Sequence, residues 1–207
     1  MSKTDKIDAK VIAQFAAERN PAPTKVPSEK EEALKEFMAL RRQFVRQRTQ
    51  LKNQLEHAAQ KETRAMTKSL AELINKMINK VGQKMERLVK ENPDWQKQKE
   101  ILESVPGIGA DTVRTLLADL PELGTGKADS VCALAGIVPV NRDSGKMRGK
   151  RNIFGGQGEV RSALYNAAMA AVFVTKKDNA VKQMDQKLMN EGKNRTKPPS
   201  SLLLTKC

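Results

Sequence analysis

The 207-residue chain has little of what disulfide frameworks, metal centres and base-stacking surfaces are built from. Its two cysteines, Cys132 and Cys207, lie far apart without pairing or metal-ligand spacing, and its one histidine is His57, so a disulfide framework and a zinc site are not expected. Aromatic residues make up 3%, which argues against extensive base stacking. No segment reaches the roughly 18 apolar residues of a membrane span, and the charged N-terminus lacks a signal-peptide core. These absences predict a soluble cytoplasmic protein without a membrane partner.

Positive charge is what the chain has in excess. Lys and Arg number 38 against 24 Asp and Glu, which gives a formal net charge of +14 and a pI near 9.9. Such a chain attracts polyanions at neutral pH. Nucleic acid is therefore the first partner to consider, with contacts made mainly to phosphates.

Four segments divide the chain, and the pattern predicts a mainly α-helical fold. Residues 1–27 read as a short amphipathic helix and a proline-rich linker, residues 28–97 as two helices of roughly 30 residues, residues 98–177 as a small helical domain and residues 178–207 as a basic tail. Ser28 and Glu31 form a capping-box pattern at the start of the second segment. Its apolar stripes, which predict a helical hairpin or coiled coil, are Phe37, Phe44, Leu51 and Ala58, then Leu70, Ile74, Met77, Val81, Met85 and Leu88.

The stretch "LESVPGIGADTVRTLLADL" has the pattern of a helix-hairpin-helix element. Gly107 and Gly109 would let backbone N–H groups at a helix N-terminus approach a nucleic-acid phosphate. The alternative is that both glycines only allow a tight turn between packed helices. Residues 101–140 carry two basic and five acidic side chains, which weighs against a direct phosphate contact.

The next stretch, "NRDSGKMRGKRN", is a glycine-rich basic loop. Glycines let a backbone bend closely round an anion while cations hold it. A predicted buried helix follows, with Arg161 and Tyr165 near its start. Loop and helix together are predicted to form a phosphate-binding surface, to which Arg161 contributes a nucleic-acid contact. Ser144 is either a turn residue or a nucleophile whose substrate is the phosphate. The loop's predicted phosphate-binding residues are Arg142, Lys146, Arg148, Lys150 and Arg151.

These motifs, in this order, resemble the IS110 family of insertion-sequence transposases, whose recombinases are guided by a bridge RNA. "KTDKIDAKVIAQFA" is similar to the last motif of that family's RuvC-like domain, and "ALAGIVPVNRDSGKMRGKRNIFGGQGEVRSALYNAAMAA" to its C-terminal domain. The resemblance implies that Asp5 and Asp8 are two of four metal-binding acids. It also implies that Ser144 is the serine that attacks DNA, with Mg²⁺ as cofactor and a guide RNA as partner.

The resemblance also implies two other acids, which lie upstream of the "TDxxDA" motif in the family, whereas this chain begins at that motif. At the other end, "SLLLTKC" departs from the family's pattern. We therefore expect a truncated and inactive copy that binds Mg²⁺ weakly or not at all, and the question whether it is an enzyme stays open.

Two other interpretations remain open from the residues. One is a stand-alone helix-hairpin-helix DNA-binding module that depends on Gly107 and Gly109 and tolerates loss of Ser144. The other is a structural protein that assembles through residues 28–92 without nucleic acid. The preferred interpretation is a DNA-binding transposase that forms homo-oligomers through its coiled coil.

Overall fold

The computed structural model describes residues 5–20, 26–140, 152–153, 155–176 and 178–191. The prediction of a mainly α-helical fold is confirmed. The elements are α1 (Asp5–Arg19), α2 (Glu29–His57), α3 (Lys61–Lys90), α4 (Pro93–Glu103), α5 (Ala110–Asp119), α6 (Ala128–Leu134), β1 (Pro139–Val140), β2 (Asn152–Ile153), α7 (Gly158–Phe173) and α8 (Ala180–Asn190). In the described part of the chain, no helix is both long and apolar enough to cross a bilayer.

Helices α2 and α3 pack along each other as a hairpin joined by three residues. The predicted capping box starts α2: the Ser28 side chain accepts a hydrogen bond from the Glu31 backbone N–H, and the Glu31 carboxylate accepts one from the Ser28 N–H. These bonds satisfy two donors that a helix start leaves unpaired.

The two ends of this hairpin differ in burial. Leu34 and Met38 of α2 and the residues from Ile74 onward in α3 enter the core, whereas residues 39–73 include no fully buried side chain. The base of the hairpin is therefore part of the globular core, and its far half is a two-helix arm.

The α3 seam differs from the predicted stripe. Ile78 and Val89 are buried, whereas Leu70 and Met77 are 47% and 38% exposed. The buried positions Ile74, Ile78, Val81 and Met85 alternate spacings of four and three, as a seven-residue repeat does. The next buried position is Val89, whereas the predicted stripe continues at Leu88, which is only partly buried.

The core joins the hairpin base to α4, α5 and α7, and its largest fully buried side chains include Leu34, Met85, Leu116 and Leu164. Residues 180–190, which lie in the predicted basic tail, form α8. That helix packs on α7 and buries Val181, so part of the segment contributes apolar surface to the fold.

Candidate nucleic-acid interface

The basic segment predicted to bind phosphate begins and ends at two paired strands. β1 and β2 are antiparallel, with Pro139 opposite Ile153 and Val140 opposite Asn152. Val140, the last described residue before the segment, therefore lies directly opposite Asn152, the first described residue after it. The predicted nucleophile and loop cations lie in between, outside the described residues: Ser144, Arg142, Lys146, Arg148, Lys150 and Arg151.

Arg161, predicted to bind nucleic acid, holds the base of this strand pair. One guanidinium nitrogen, Nη1, donates to the carbonyl oxygens of Gly136 at 3.2 Å and of Gly155 at 3.0 Å. Gly136 precedes β1 and Gly155 follows β2, so one side chain on the first turn of α7 fixes both. Arg161 therefore stabilises the base of the strand pair through hydrogen bonds within the chain. That Arg161 also contacts nucleic acid stays a prediction.

Two glycine backbones contact each other beside Arg161. Gly136 and Gly156 have φ of +69° and +66°, and a Cβ built on Gly156 would lie 2.3 Å from the Gly136 Cα. Only glycine permits two backbones to touch in this way. The Gln157 N–H also donates to the Leu134 carbonyl oxygen at 3.0 Å. The base of the strand pair is therefore set by contacts that leave no room for a side chain.

The two glycines of the helix-hairpin-helix pattern have different surroundings. Gly107 has φ +90°, and a Cβ there would lie 2.2 Å from the Ala167 carbonyl oxygen and 2.7 Å from the Ala171 nitrogen in α7. Gly109 is the N-cap of α5, is exposed, and has open space where a Cβ would stand. Gly107 thus serves helix packing, while Gly109 leaves a helix N-terminus accessible.

An acidic side chain lies at the N-terminus of α5. Asp111, in the first turn of α5, pairs with Arg41 of α2 at 2.8 Å and with Arg114 at 2.7 Å. A carboxylate is favourable there because it faces the positive end of the helix dipole. A nucleic-acid phosphate approaching Gly109 would meet this negative charge, so Asp111 lowers the attraction that the predicted contact needs.

The other acids at this interface also face α2. Arg42 pairs with Asp119 and, at 3.7 Å, with Glu159, and Arg46 pairs with Glu159 at 2.7 Å. The Arg42 and Asp119 side chains are about one-fifth exposed. These pairs join α2 to α5 and α7. Asp111 and Asp119 are two of the five acids of residues 101–140, and the sequence alone could not assign either to a partner at least seventy residues away.

Asp5 and Asp8 lie in the first turn of α1, three residues apart and exposed. Helix α1 buries none of its residues. Across the described ranges, no group of three or more His, Cys, Asp or Glu side chains is placed to hold a metal ion. The described residues therefore do not supply a complete metal site, and the assignment of Asp5 and Asp8 as ligands stays a prediction.

Two further reactive side chains in the described part of the chain, Cys132 and His57, do not supply a nucleophile or base at this interface. Burial raises the pKa of the Cys132 thiol, and the nearby Asp129 carboxylate raises it further, so the less reactive thiol form is favoured. His57 is exposed at the end of α2, in the arm.

Comparison with known proteins shows that two regions of the chain each match a family of transposases. A model described as "Transposase IS116/IS110/IS902 family" matches residues 99–183, and a model of the DEDD-type IS110 transposases matches residues 1–63. The chain belongs to the IS110 family of transposases, as its motifs predicted. The match to DEDD-type transposases implies a dependence on divalent metal ions, without specifying which metal.

Two curated relatives agree with this assignment. The pilin gene-inverting proteins of Moraxella bovis and Moraxella lacunata are each 27% identical over 195 residues, which cover 90% of this chain and 59% of the relative. The chain thus spans about three-fifths of the length of these relatives.

Proposed function

We propose that this protein acts on DNA as a transposase or recombinase of an insertion sequence. The observation that carries the proposal is a basic, glycine-rich segment that starts and ends at paired strands, inside the region that matches the transposase family. The relatives' name, which describes gene inversion, supports a rearrangement of DNA strands as the reaction.

In the proposed reaction, the Ser144 hydroxyl oxygen attacks a DNA phosphorus. A bond forms between Oγ and phosphorus while the hydroxyl gives up its proton, and the bond from phosphorus to one deoxyribose oxygen breaks. That oxygen leaves with the electron pair and takes up one proton, so that the proton count balances. The number of phosphate ester bonds is conserved, so attack by a deoxyribose hydroxyl on the same phosphorus reseals a strand and releases the serine. Cations of the loop neutralise the phosphate oxygens in the transition state.

The described residues support this reaction by positioning. Arg161 and the contact between Gly136 and Gly156 hold the two ends of the loop-bearing segment against α7. A fixed base lowers the entropy that the loop loses when it binds DNA, because the ends need no further ordering.

Mg²⁺ is the proposed cofactor, with Asp5 and Asp8 among its ligands. Carboxylate oxygens suit this hard cation. Since the described residues do not complete a site, no step of the reaction is assigned to the metal, and binding by Asp5 and Asp8 alone is expected to be weak.

A guide RNA and a second copy of the chain are the other proposed partners. The arm carries an exposed apolar stripe on α3, which fits a second arm. Its members are Met66, Leu70, Leu73 and Met77. If this stripe joins two copies, replacing Leu73 and Met77 by Asp should lower the mass measured by sedimentation without reducing helicity, whereas an unchanged mass would exclude the stripe as the interface.

The DNA-binding part of the proposal is tested by fluorescence anisotropy with duplex DNA over a range of salt concentrations. Changing Arg148, Lys150 and Arg151 to Gln should weaken binding to all sequences, because phosphate contacts do not read bases. Ser144→Ala, which removes one hydroxyl and no charge, is the matched control and should bind as tightly as the parent. Equal binding by the triple variant and the parent would reject the loop as the contact.

A further inference from the structure

The cations of this protein fall into two groups that differ in their partners. One group forms ion pairs with carboxylates, mostly at contacts between helices: Lys30, Arg41, Arg42, Arg46, Lys99 and Arg114. Glu86, for example, accepts a hydrogen bond from Lys99, and this bond is the main reason why its pKa is lowered. The net charge of +14 must therefore be carried by cations elsewhere.

One such group lies on the outer face of α3. At 100° per residue, four cations fall within about 80° of the helix circumference, opposite the buried Ile78 and Met85. We call them the α3 row: Lys76, Lys80, Arg87 and Lys90. All four are exposed, and in the described ranges none forms an ion pair within 4 Å of a carboxylate, although the positive charge of Lys90 contributes to the lowered pKa of Glu86.

From Lys76 to Lys90, the face that carries the α3 row holds no acid, and the exposed Glu72 lies on this face one turn before Lys76. Glu86, the one acid in that stretch, points to the side of α3, where Lys99 and Arg114 bind it. Between the cations the row carries the exposed amides Asn79 and Gln83, which can also donate to phosphate oxygens. The row spans about 21 Å at 1.5 Å per residue.

We propose that the α3 row is a second nucleic-acid contact, separate in sequence from the 142–151 loop, and that it binds the phosphate backbone of duplex DNA. A straight line of unpaired cations about 21 Å long fits several phosphates within one turn of roughly 34 Å. The choice of DNA as occupant rests on the proposed function. The contact positions the duplex without reading its sequence.

The test is the salt dependence of duplex DNA binding by the full chain. Changing Lys76, Lys80 and Arg87 to Gln should make the slope of log K against log salt shallower by about 2.7, at roughly 0.9 per phosphate contact, and should lower affinity at about 100 mM salt on the order of a hundredfold. Thermal midpoint and helicity should not change, because these side chains are exposed and unpaired.

A matched control removes the same charge from scattered positions. Lys35, Lys52 and Lys97 are exposed and lie on α2 and α4, away from the row. Their change to Gln should alter the slope by less than about 1, since it weakens only the long-range attraction. Equal slopes for the two triple variants would overturn the inference.

Two further results separate this inference from the proposed function. If the parent chain does not bind duplex DNA, both fail together. If the parent binds and only the loop variant of Arg148, Lys150 and Arg151 is weakened, the α3 row alone is rejected. A slope change seen with duplex RNA and not with DNA would overturn the assignment of DNA as the occupant.

Discussion

Replacing Gly107 by Ala should destabilise the fold through two separate costs. The backbone at this position has φ +90°, which an L residue adopts at a cost of about 1–2 kcal/mol. The new Cβ would also lie 2.2 Å from the Ala167 carbonyl oxygen and 2.8 Å from the Ala171 Cβ. Both belong to α7, so the helix must move, and overpacking of this kind costs about 1–3 kcal/mol.

The expected loss is therefore about 3 kcal/mol, which for a chain of this size lowers the thermal midpoint by about 6–12 °C. Circular dichroism at 222 nm during heating measures it. Gly109→Ala is the matched control, because its φ of −103° suits alanine and its Cβ meets nothing within 4 Å. That variant should differ from the parent by less than about 1 kcal/mol. A Gly107→Ala midpoint equal to that of the control would refute the packing argument.

Three further outcomes follow from particular residues. Gly82→Ala should raise stability by about 1 kcal/mol in urea unfolding, because this mid-helix glycine has open space at its Cβ, and a loss would mean that the space is needed. Glu86, whose pKa is lowered from 4.5 chiefly by the Lys99 hydrogen bond, should stabilise the fold above pH 4.5 and lose that contribution as the pH falls through its folded-state pKa. The difference in unfolding free energy between the parent and Glu86→Gln should shrink accordingly, and a difference constant with pH would contradict it. Gly109→Ala should reduce DNA affinity only if a phosphate approaches the N-terminus of α5, so unchanged affinity would remove Gly109 from the interface.

Local patterns predicted the helical architecture well. Ser28 and Glu31 are three residues apart, and the capping box they form depends only on that neighbourhood. The two long helices lack internal proline, so their extent could be read directly from the sequence. The buried seam of α3 was predicted less well, because α4 packs on α3 and adds neighbours that a two-helix repeat does not include.

The candidate site depended on contacts distant in sequence. Nothing near Gly107 distinguishes it from Gly109, since the difference lies in α7, sixty residues further along. Arg161 was predicted to contact phosphate, and its two carbonyl partners lie at Gly136 and Gly155, whose approach only the fold reveals. The four-residue spacing of Lys76 and Lys80 was visible in the sequence, but their lack of carboxylate partners in the described structure was not.

The central claim, that Ser144 joins itself to DNA, is tested most directly by isolating the covalent product. The chain is incubated with Mg²⁺, a guide RNA, duplex DNA and a fragment of a related transposase that supplies the two further acids expected of the metal site. The mixture is then denatured in detergent, digested with protease and nuclease, and examined by mass spectrometry. The account predicts a nucleotide attached through phosphate to the peptide that contains Ser144, and no such product from Ser144→Ala. Cleavage of the DNA with a nucleotide on another residue, or with no attached nucleotide, would contradict it.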